Sequence, residues 1–400
     1  MSEINYVDIL ISGGGIAGLA AAAAFGNRGF SVQCVDPTPP ITQRDISGAD
    51  LRTTAFLQPA RKFLDEAGLW QRLESDAAPL QIMRIVDAGG ELTEPRITKD
   101  FNASDISNQP FGWNLPNWLL RREMLARLRE MDNVSLHLGT ATKTLFTRTS
   151  EARVDLSDGS QTRCRLVIAA DGRNSPMRNA AGIDTRKTHY GQKALALAVT
   201  HPIPHYNVST EIHRSGGPFT LVPLPDYNGM PSSALVWMER DSRATELFAM
   251  NAPDFEREMT QRSCSLFGPL TLASQRTIWP IISQSAKRLS GERLALVAEA
   301  AHVVPPIGAQ GLNMSLGDLR ILLDLAAENP DRLGDQDMLE TYHSKRFTEV
   351  KLRVKGIDLL NRASMIGPRP LRDARAMTLN ALYSLAPVRK ALMQMGLGAR

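Results

Sequence analysis

The sequence predicts an α/β fold in which a Rossmann-like dinucleotide-binding domain contains an inserted β-sheet domain and is followed by a C-terminal helical segment. Three observations predict it: a glycine-rich turn between a strand and a helix near the N-terminus, a β-rich central stretch, and a buried-strand pattern that returns after this stretch. We divide the chain into residues 1–190 and 281–345 for the dinucleotide-binding domain, 191–280 for the inserted sheet, and 346–400 for the C-terminal helices.

The first unit is a strand, a glycine-rich turn, a helix from Ile16 to Arg28 and a second strand that ends in an acid. Glycines let the turn bring its backbone close to a pyrophosphate, and the first amides and the dipole of the helix point at the phosphates. The terminal acid can accept the ribose hydroxyls. The candidate dinucleotide-binding residues of this unit are Gly13, Gly15, Ile16, Ala17, Gly18 and Asp36. The alternative is an ordinary βαβ turn that binds no ligand.

The next elements follow from apolar periodicity and turn residues. The periodicity predicts helices over residues 56–73 and 121–131. Apolar runs bounded by turns predict strands over 134–138 and 153–156. The run over 166–170 is expected to be a buried parallel strand that ends at a ligand-binding face, because Asp171-Gly172 follows it.

The central stretch has a different sequence pattern. Short β-rich runs over 195–200, 219–223 and 234–238 are separated by proline and glycine turns, which predicts a sheet without crossover helices. A buried strand over 294–297, a loop and a helix over 311–327 then resume the first domain, and helices complete the chain from residue 338.

Composition and charge exclude several classes of protein. The net charge is only +4, and no reader motif or basic patch with interleaved aromatic residues is present, so we expect no nucleic-acid binding. Cys34, Cys164 and Cys264 lie far apart, which argues against a disulfide framework or a metal site and favours a reducing, cytoplasmic compartment. No segment has the pattern of a signal peptide or a transmembrane helix.

Basic residues are concentrated at the C-terminus. Residues 351–400 contain ten Lys and Arg against Asp358 and Asp373, so this segment carries +8 and the rest of the chain −4. Apolar residues are interleaved with these charges. The favoured interpretation is amphipathic helices that pack on their own protein; the alternative is a peripheral contact with the inner face of a membrane or with a biosynthetic complex.

Three separated motifs carry a family resemblance. The glycine turn, residues 166–178 and residues 294–318 resemble, in order and spacing, the fingerprints of FAD aromatic hydroxylases of the para-hydroxybenzoate hydroxylase type. Within that group the chain is most similar to the ubiquinone-biosynthesis hydroxylases, and the resemblance covers nearly the whole chain. The segments that carry this closer similarity are Asp50–Ala55, Phe111–Trp113, Gly217–Pro218, Leu221–Leu224, Val236–Trp237 and Pro306–Asn313.

The resemblance implies an FAD site with contributions from five places. Arg52 would contact the phosphate or ribityl region, and Arg122 would contact the cofactor from the next helix, with Arg121 as the less favoured neighbour. Asp171 would meet the cofactor chain or a passing reductant, and Glu299 would bond a ribityl hydroxyl. A loop at a helix start would stabilise negative charge on the reduced flavin through its amides. This loop supplies Gly308, Ala309, Gln310, Gly311, Leu312 and Asn313.

The chain departs from the family pattern at two places. It has Ala298-Glu299 where the family normally has Gly-Asp, and Gly308-Ala309 where Ala-Gly is usual. A misplaced charge-assisted hydrogen bond would cost about 1.5 to 3 kcal/mol, so FAD binding is expected to be weakened or shifted rather than abolished. His302 is expected to be a structural residue of the loop.

The resemblance implies an FAD-dependent monooxygenase that takes a hydride from a transiently bound NAD(P)H and uses O2. A flavin C4a-hydroperoxide would hydroxylate an aromatic ring, most simply a polyprenylated phenol in ubiquinone biosynthesis. The sequence identifies no catalytic side chain. The alternatives are a reductase or hydroxylase of another hydrophobic substrate, and a noncatalytic flavin-binding assembly subunit.

Overall fold

The helices and strands are taken from a computed structural model, which describes residues 4–44, 46, 48–90, 94–214, 216–365, 373, 377, 380 and 382–397. The strands are β1 Ile4–Ser12, β2 Val32–Asp36, β3 Thr53–Leu57, β4 Ala78–Leu80, β5 Ile82–Asp87, β6 Ile97–Asn102, β7 Gly112–Pro116, β8 Val134–Leu138, β9 Thr142–Thr147, β10 Ala152–Leu156, β11 Gln161–Ala169, β12 Thr185–Thr200, β13 Val208–His213, β14 Pro218–Tyr227, β15 Met230–Arg240, β16 Thr271–Leu272, β17 Thr277–Ala286, β18 Ser290–Gly291, β19 Leu294–Leu296 and β20 His302–Val303. The helices are α1 Ile16–Asn27, α2 Gln58–Glu66, α3 Asn117–Arg129, α4 Pro176–Ala180, α5 Asp241–Ala249, α6 Ala252–Arg262, α7 Ala298–Ala301, α8 Gln310–Glu328, α9 Gln336–Ser364 and α10 Ala386–Leu397.

A parallel sheet forms the first layer. Its strands follow the order β19-β11-β1-β2-β8, with β18 antiparallel at one edge and β9-β10 attached to β11. Ile9, Leu10 and Ile11 are completely buried because both faces of this sheet are covered. The carboxyl ends of β1, β2, β11 and β19 therefore lie along one edge, where ligands bind in open α/β sheets. The predicted Rossmann-like α/β fold is confirmed.

Helix α1 lies unusually close to this sheet. Its residues from Ala17 to Gly26 are all buried, and most of them are alanines. A Cβ on Gly18 would lie 1.9 Å from the carbonyl oxygen of Gly13, so no larger residue fits at the crossing of helix and turn. The small side chains hold the start of α1 against the end of β1.

A larger, mostly antiparallel sheet forms the second layer, in the order β20-β17-β12-β15-β14-β13-β5-β6. Its strands β5 and β6 come from residues 82–102, a segment that the sequence placed in the first domain, so the architecture is more interleaved than the predicted division by residue number. Among the described residues of the inserted segment, no helix crosses over between parallel strands, as predicted, but the sequence did not predict the two helices α5 and α6. Helices α5 and α6 cover one face of the sheet, and Phe255, Met259 and Arg262 already show their helical spacing.

The single helix predicted over 56–73 is also wrong. Phe56 belongs to β3, where it pairs with Trp113 of β7. Helix α2 then ends at Glu66, because Gly68 takes a left-handed conformation with φ +70° that stops the helix. Sheet pairing with a distant strand decided the conformation of Phe56, and local periodicity contains no information about that partner.

Helix α9 packs along one face on the rest of the protein, and α10 follows it. Tyr342 of α9 is completely buried, and its hydroxyl donates to the carbonyl oxygen of Leu296 in β19 at 2.7 Å. Met393 of α10 packs against Leu57 and Phe111. Within the described residues, no helix has both the length and the apolar character needed to cross a bilayer.

A buried charge cluster fixes α8 and α9 to the strand β20. Asp318 of α8 is fully buried, and its carboxylate contacts Nε2 of His302 at 2.7 Å and accepts from Nε of Arg346 at 2.9 Å. Arg346 also donates to the carbonyl oxygen of Met314 at 3.2 Å. Burial alone would raise the pKa of the Asp318 carboxyl, but the neighbouring His302 and Arg346 outweigh it, so this pKa lies below its usual value. His302 is thus a structural residue, as predicted.

We expect Asp318→Asn to lower the free energy of unfolding by about 3 kcal/mol, because it removes the buried partner of Arg346 and leaves this charge with the partly exposed Glu349 alone. Urea unfolding followed by circular dichroism measures this. Asp324→Asn on the same helix is the control: its partly exposed pair with Arg320 spans 3.8 Å, and we expect a change within about 0.5 kcal/mol. Since the pKa of Asp318 is lowered in the folded state, its stabilisation is complete above the unfolded value and is lost as pH falls through the folded value. Equal stability of the two variants would contradict this role.

Candidate cofactor and substrate site

The glycine-rich turn leaves open space at the start of α1. Gly13 has φ +108°, and a Cβ there would lie 2.3 Å from the carbonyl oxygen of Ala170, so this position requires glycine. Gly15 is the N-cap of α1 and has no atom within 4 Å of where its Cβ would lie. No side chain caps the helix, whose first turn contains Ile16 and Ala17. An uncapped helix start beside open space suits a phosphate.

Asp36 lies next to this turn, at the end of β2. Its Oδ2 accepts from the amide of Gly14 at 2.6 Å, and its Oδ1 accepts from the amide of Thr38 at 2.8 Å. A carboxylate has about four acceptor positions, so each oxygen can still accept one ribose hydroxyl. The position agrees with the predicted ribose contact, which itself stays a prediction.

Asp171 follows β11, directly beside the end of β1. Its Oδ2 accepts from the Ser12 hydroxyl at 3.3 Å and from the amide of Met177 at 3.1 Å. Its Oδ1 is buried and has no hydrogen-bond partner among the described residues. Burial raises the pKa of this carboxyl. A buried acceptor without a partner costs about 1 to 3 kcal/mol, which a donor on a bound ligand would offset.

Arg52 belongs to an ion cluster that the sequence only partly predicts. Its guanidinium makes two bonds to the Asp50 carboxylate, at 2.7 and 2.8 Å, and the same carboxylate accepts from Arg121 at 3.2 Å and Asn117 at 3.1 Å. Burial raises the pKa of Asp50, but Arg52, Asn117 and Arg121 together outweigh this effect, so the net pKa is below its usual value. The Arg52 guanidinium lies 5.6 Å from the ring of Trp279, which belongs to the large sheet. This cluster therefore lies between the two layers.

Arg122 is not part of this cluster. Its Nε donates to Glu123 at 2.7 Å, and its guanidinium lies 5.4 Å from the Trp118 ring. The structure thus brings Arg121 to Arg52, although the sequence favoured Arg122. Helical geometry explains the difference, because neighbouring residues of a helix point about 100° apart and the motif does not show which one faces the cleft. A cofactor contact for Arg122 stays a prediction without support from these distances.

Glu299 lies at the start of α7, after β19. Its Oε2 is 3.3 Å from Nε of Arg173, which follows the neighbouring strand β11. The Glu299 side chain is 46% exposed, so its second oxygen can still reach a ligand. The preceding residue, Ala298, has φ +54°, a left-handed conformation that is costly for a residue with a Cβ. The sequence did not predict Arg173, although it stands next to the predicted Asp171-Gly172.

The loop before α8 has two consecutive left-handed residues, Gly308 with φ +61° and Ala309 with φ +56°. Asn313 fastens this loop to β3: its amide nitrogen donates to the carbonyl oxygens of Ala55 at 2.7 Å and Ala309 at 2.6 Å, and its oxygen accepts from Leu57 at 2.8 Å. The side chain of Gln310 contacts Gly308, Gly396 and Arg353. Gly311 and Leu312 complete the first turn of α8. Because the side chains hold the loop, the backbone amides at the helix start are available for a ligand.

Small apolar side chains line the part of the large sheet that β12 and β15 form on the face opposite α5 and α6. Alternate residues of β12 on this face are Ala194, Ala196 and Ala198, and Ala198 pairs with Ala234 of β15. Ala194 pairs with Trp279 at the end near Arg52. Further out, a separate apolar cluster contains Ala198, Leu224 and Ala234, with Val222 and Ala273 packed against it. This part of the sheet therefore presents an apolar surface beside the Arg52 cluster.

Arg44 closes the outer end of this face. It follows β2, and its guanidinium carbon lies 3.5 Å from the centre of the Tyr227 ring at the tip of the β14-β15 hairpin. The same guanidinium donates to the carbonyl oxygen of Ala273 at 2.8 Å. The contact joins the two layers across the apolar cluster.

These features together fit an extended dinucleotide with a flat, redox-active end. The open space at Gly15 and the buried acceptor of Asp171 come just after the parallel strands β1 and β11, and the fastened loop before α8 follows β20 of the large sheet. Among the described residues, no group of three or more His, Cys, Asp and Glu side chains is placed to hold a metal ion.

Comparisons with known proteins agree with this geometry. Residues 6–355 match the model of the FAD binding domain family. A relative named ubiquinone hydroxylase UbiL, from Rhodospirillum rubrum, is 32% identical over 99% of this chain and 91% of its own length. Ubiquinone hydroxylase UbiM from Neisseria meningitidis is 24% identical over 97% of this chain and 84% of its own length.

A solved structure shares the fold. The p-nitrophenol 4-monooxygenase PnpA from Pseudomonas putida superimposes with a TM-score of 0.79 at 17% identity, covering 99% of both chains. The predicted resemblance, the α/β fold, and the predicted FAD cofactor with NAD(P)H as reductant are confirmed. The chain belongs to the FAD binding domain family, as an FAD-dependent monooxygenase.

Proposed function

We propose that this chain hydroxylates the aromatic ring of a polyprenylated phenol on the route to ubiquinone. The observation that carries the proposal is the alanine-lined face of the large sheet, which begins beside the Arg52 cluster and continues into the outer cluster of Ala198, Leu224 and Ala234. Its apolar surface suits a ring that bears an isoprenoid tail. Full-length relatives named as ubiquinone hydroxylases support the same substrate class.

The protein's own residues bind, orient and exclude water. We propose that the first turn of α1 binds the pyrophosphate, Asp36 the adenosine ribose, and Glu299 the ribityl chain. Backbone amides at the start of α8 would hold the negative charge of the reduced ring. FAD supplies the oxidising chemistry when it is bound. Ala194, Ala196 and Ala198 carry no titratable group, and Glu211, further out on the same face, contacts His213 at 2.7 Å; we assign no catalytic base.

We propose Arg121 together with Arg52 as the cationic side of the cleft. Both are held by Asp50, which fixes their positions before any ligand arrives. NAD(P)H would approach this side transiently, because the sequence has only one glycine-rich nucleotide motif. We also propose that the protein works at the cytoplasmic face of the membrane that contains its substrate.

Two alternative functions can be distinguished from the proposed one by experiment. A reductase, or a hydroxylase of another hydrophobic substrate, would use the same apolar face. A noncatalytic flavin-binding assembly subunit is favoured by one observation, the left-handed Ala298 beside Glu299, since both residues depart from the family pattern.

Gly15→Val tests the phosphate position. Because no atom lies within 4 Å of the Gly15 Cβ position and its φ is −68°, the new side chain fits the folded protein. It would occupy the space proposed for the pyrophosphate, so we expect an unchanged thermal midpoint without cofactor and a loss of FAD binding of at least roughly a hundredfold, measured by flavin fluorescence titration. Gly356→Val is the control, since its Cβ position is also open and its φ is not positive, but it lies on the exposed side of α9. FAD binding by Gly15→Val at the wild-type level would place the phosphates elsewhere.

Ala298→Gly tests the strain at the flavin loop. The left-handed Ala298 costs about 1 to 3 kcal/mol, and glycine recovers part of it, so we expect stability to rise by about 1 kcal/mol and FAD affinity to stay equal or increase. Ala301→Gly is the matched control in the same helix, where φ is not positive, and it should be destabilising. Urea unfolding and fluorescence titration read the two effects. Equal destabilisation by both substitutions would show that Ala298 is not strained.

Hydroxylation itself predicts incorporation of labelled oxygen. We expect NAD(P)H oxidation by the FAD-loaded protein to increase with a prenylated phenol, and the product to contain one atom from labelled O2 and none from labelled water. Product formation without O2 would indicate a reductase, and protein that binds FAD but consumes no NAD(P)H would indicate an assembly subunit.

Ala198→Phe, which narrows the outer apolar cluster, should lower kcat/KM more for long-tailed than for tail-free phenols while leaving FAD affinity unchanged.

A further inference from the structure

Helix α9 exposes a ridge of leucines to solvent. Leu352, Leu359 and Leu360 are 65%, 68% and 58% exposed, and we call these three residues the α9 ridge. Leu352 and Leu359 are seven residues apart, so they lie on the same side of the helix, with the exposed Gly356 between them. Large exposed apolar side chains that adjoin each other on one helix indicate an interaction site.

The ridge is exposed although the helix is firmly seated. On the opposite face, Ile357 is buried, and the buried Asn361 donates to the side chain of Gln192 at 2.9 Å. Asp358 accepts from the hydroxyl of Tyr190 at 2.6 Å. Both partners belong to β12, the strand that carries the alanine face. The exposure of the leucines is therefore a property of the packed helix, and the ridge is fixed relative to the proposed substrate site.

The charges beside the ridge are positive. Lys351 and Lys355 are exposed on its flank. The nearby acids are already paired within the protein: Glu349 with Arg346 and Arg353, and Asp358 with Arg362 at 3.0 Å. An apolar stripe with lysines on its flank is the arrangement of helices that lie in the surface of anionic membranes.

We propose that the α9 ridge docks this protein on an anionic phospholipid surface. The leucines would enter the boundary between headgroups and acyl chains, and Lys351 and Lys355 would contact phosphate groups. A second copy of this chain is a poorer occupant, because a symmetric contact would place lysines against lysines. The inference rests on the proposed function in one respect: a polyprenylated substrate dissolves in a membrane, so the docked enzyme would meet it there.

Vesicle sedimentation of the full-length, FAD-loaded protein tests the proposal. We expect binding to vesicles of phosphatidylcholine mixed with phosphatidylglycerol, weaker binding to pure phosphatidylcholine, and weaker binding at high salt. Leu352→Ser with Leu359→Ser and Leu360→Ser, and separately Lys351→Glu with Lys355→Glu, should each weaken binding to the anionic vesicles roughly tenfold or more. Because these residues are exposed, the variants should keep the wild-type thermal midpoint and flavin content.

Matched control variants make the same kinds of substitution at exposed residues outside the α9 ridge. Ile203→Ser with Met230→Ser and Phe248→Ser removes three other exposed apolar side chains, and Lys62→Glu with Lys143→Glu makes the same change in net charge. Control variants that lose as much binding as the ridge variants would overturn the proposal. The proposal would also be overturned if the wild-type protein did not bind anionic vesicles. The same holds if the wild-type protein formed dimers and the leucine substitutions dissociated them. Hydroxylation of a tail-free phenol, measured without vesicles on the same samples, reports separately on the proposed function.

Discussion

The buried Asp318 carboxylate is the constraint on which the cofactor cleft depends. It joins His302 before the loop, its own helix α8 after the loop, and Arg346 of α9. The loop from Val304 to Ala309 thus leaves one anchored strand and enters one anchored helix. Asn313 adds a third attachment, to β3. A loop held at both ends, with its second end also attached to β3, can present backbone amides to a ligand without using its own side chains, which is the preorganisation that a flavin site needs.

Several features of the site follow from the sequence because their causes are local. The turn at Gly13 requires a positive φ, and Gly18 lies close to the carbonyl oxygen of Gly13, so the glycine spacing predicts a nucleotide site when the strand before it, the helix after it and Asp36 are considered with it. Buried parallel strands have continuous apolar sequences, and the predicted strands over 166–170 and 294–297 end within one residue of the carboxyl ends of β11 and β19. The residues that follow these strands, Asp171 and Glu299, therefore fall at the same sheet edge.

What the sequence missed depends on distant partners. Asp50 selects Arg121 rather than Arg122, and nothing within α3 reveals where Asp50 lies. Phe56 becomes a strand residue because β7 pairs with it, although its apolar spacing also suits a helix. The strands β5 and β6 join the large sheet through a parallel pairing with β13, more than a hundred residues away. Each error concerns a contact between segments, which single-sequence periodicity does not encode.

Two departures from the family pattern, Ala298 and Glu299, are adjacent and belong to one local arrangement after β19. Ala298 takes the left-handed conformation that a glycine would take more easily, so the backbone path is kept at the expense of strain. Glu299 has one more methylene than aspartate, and it makes an ion pair with Arg173 from the adjacent strand. A half-exposed ion pair of this kind contributes about 0 to 1 kcal/mol to stability, and salt screens it easily. It therefore orients the carboxylate without fixing its position. We therefore propose that a ligand hydroxyl would displace Arg173 from Glu299 at little cost.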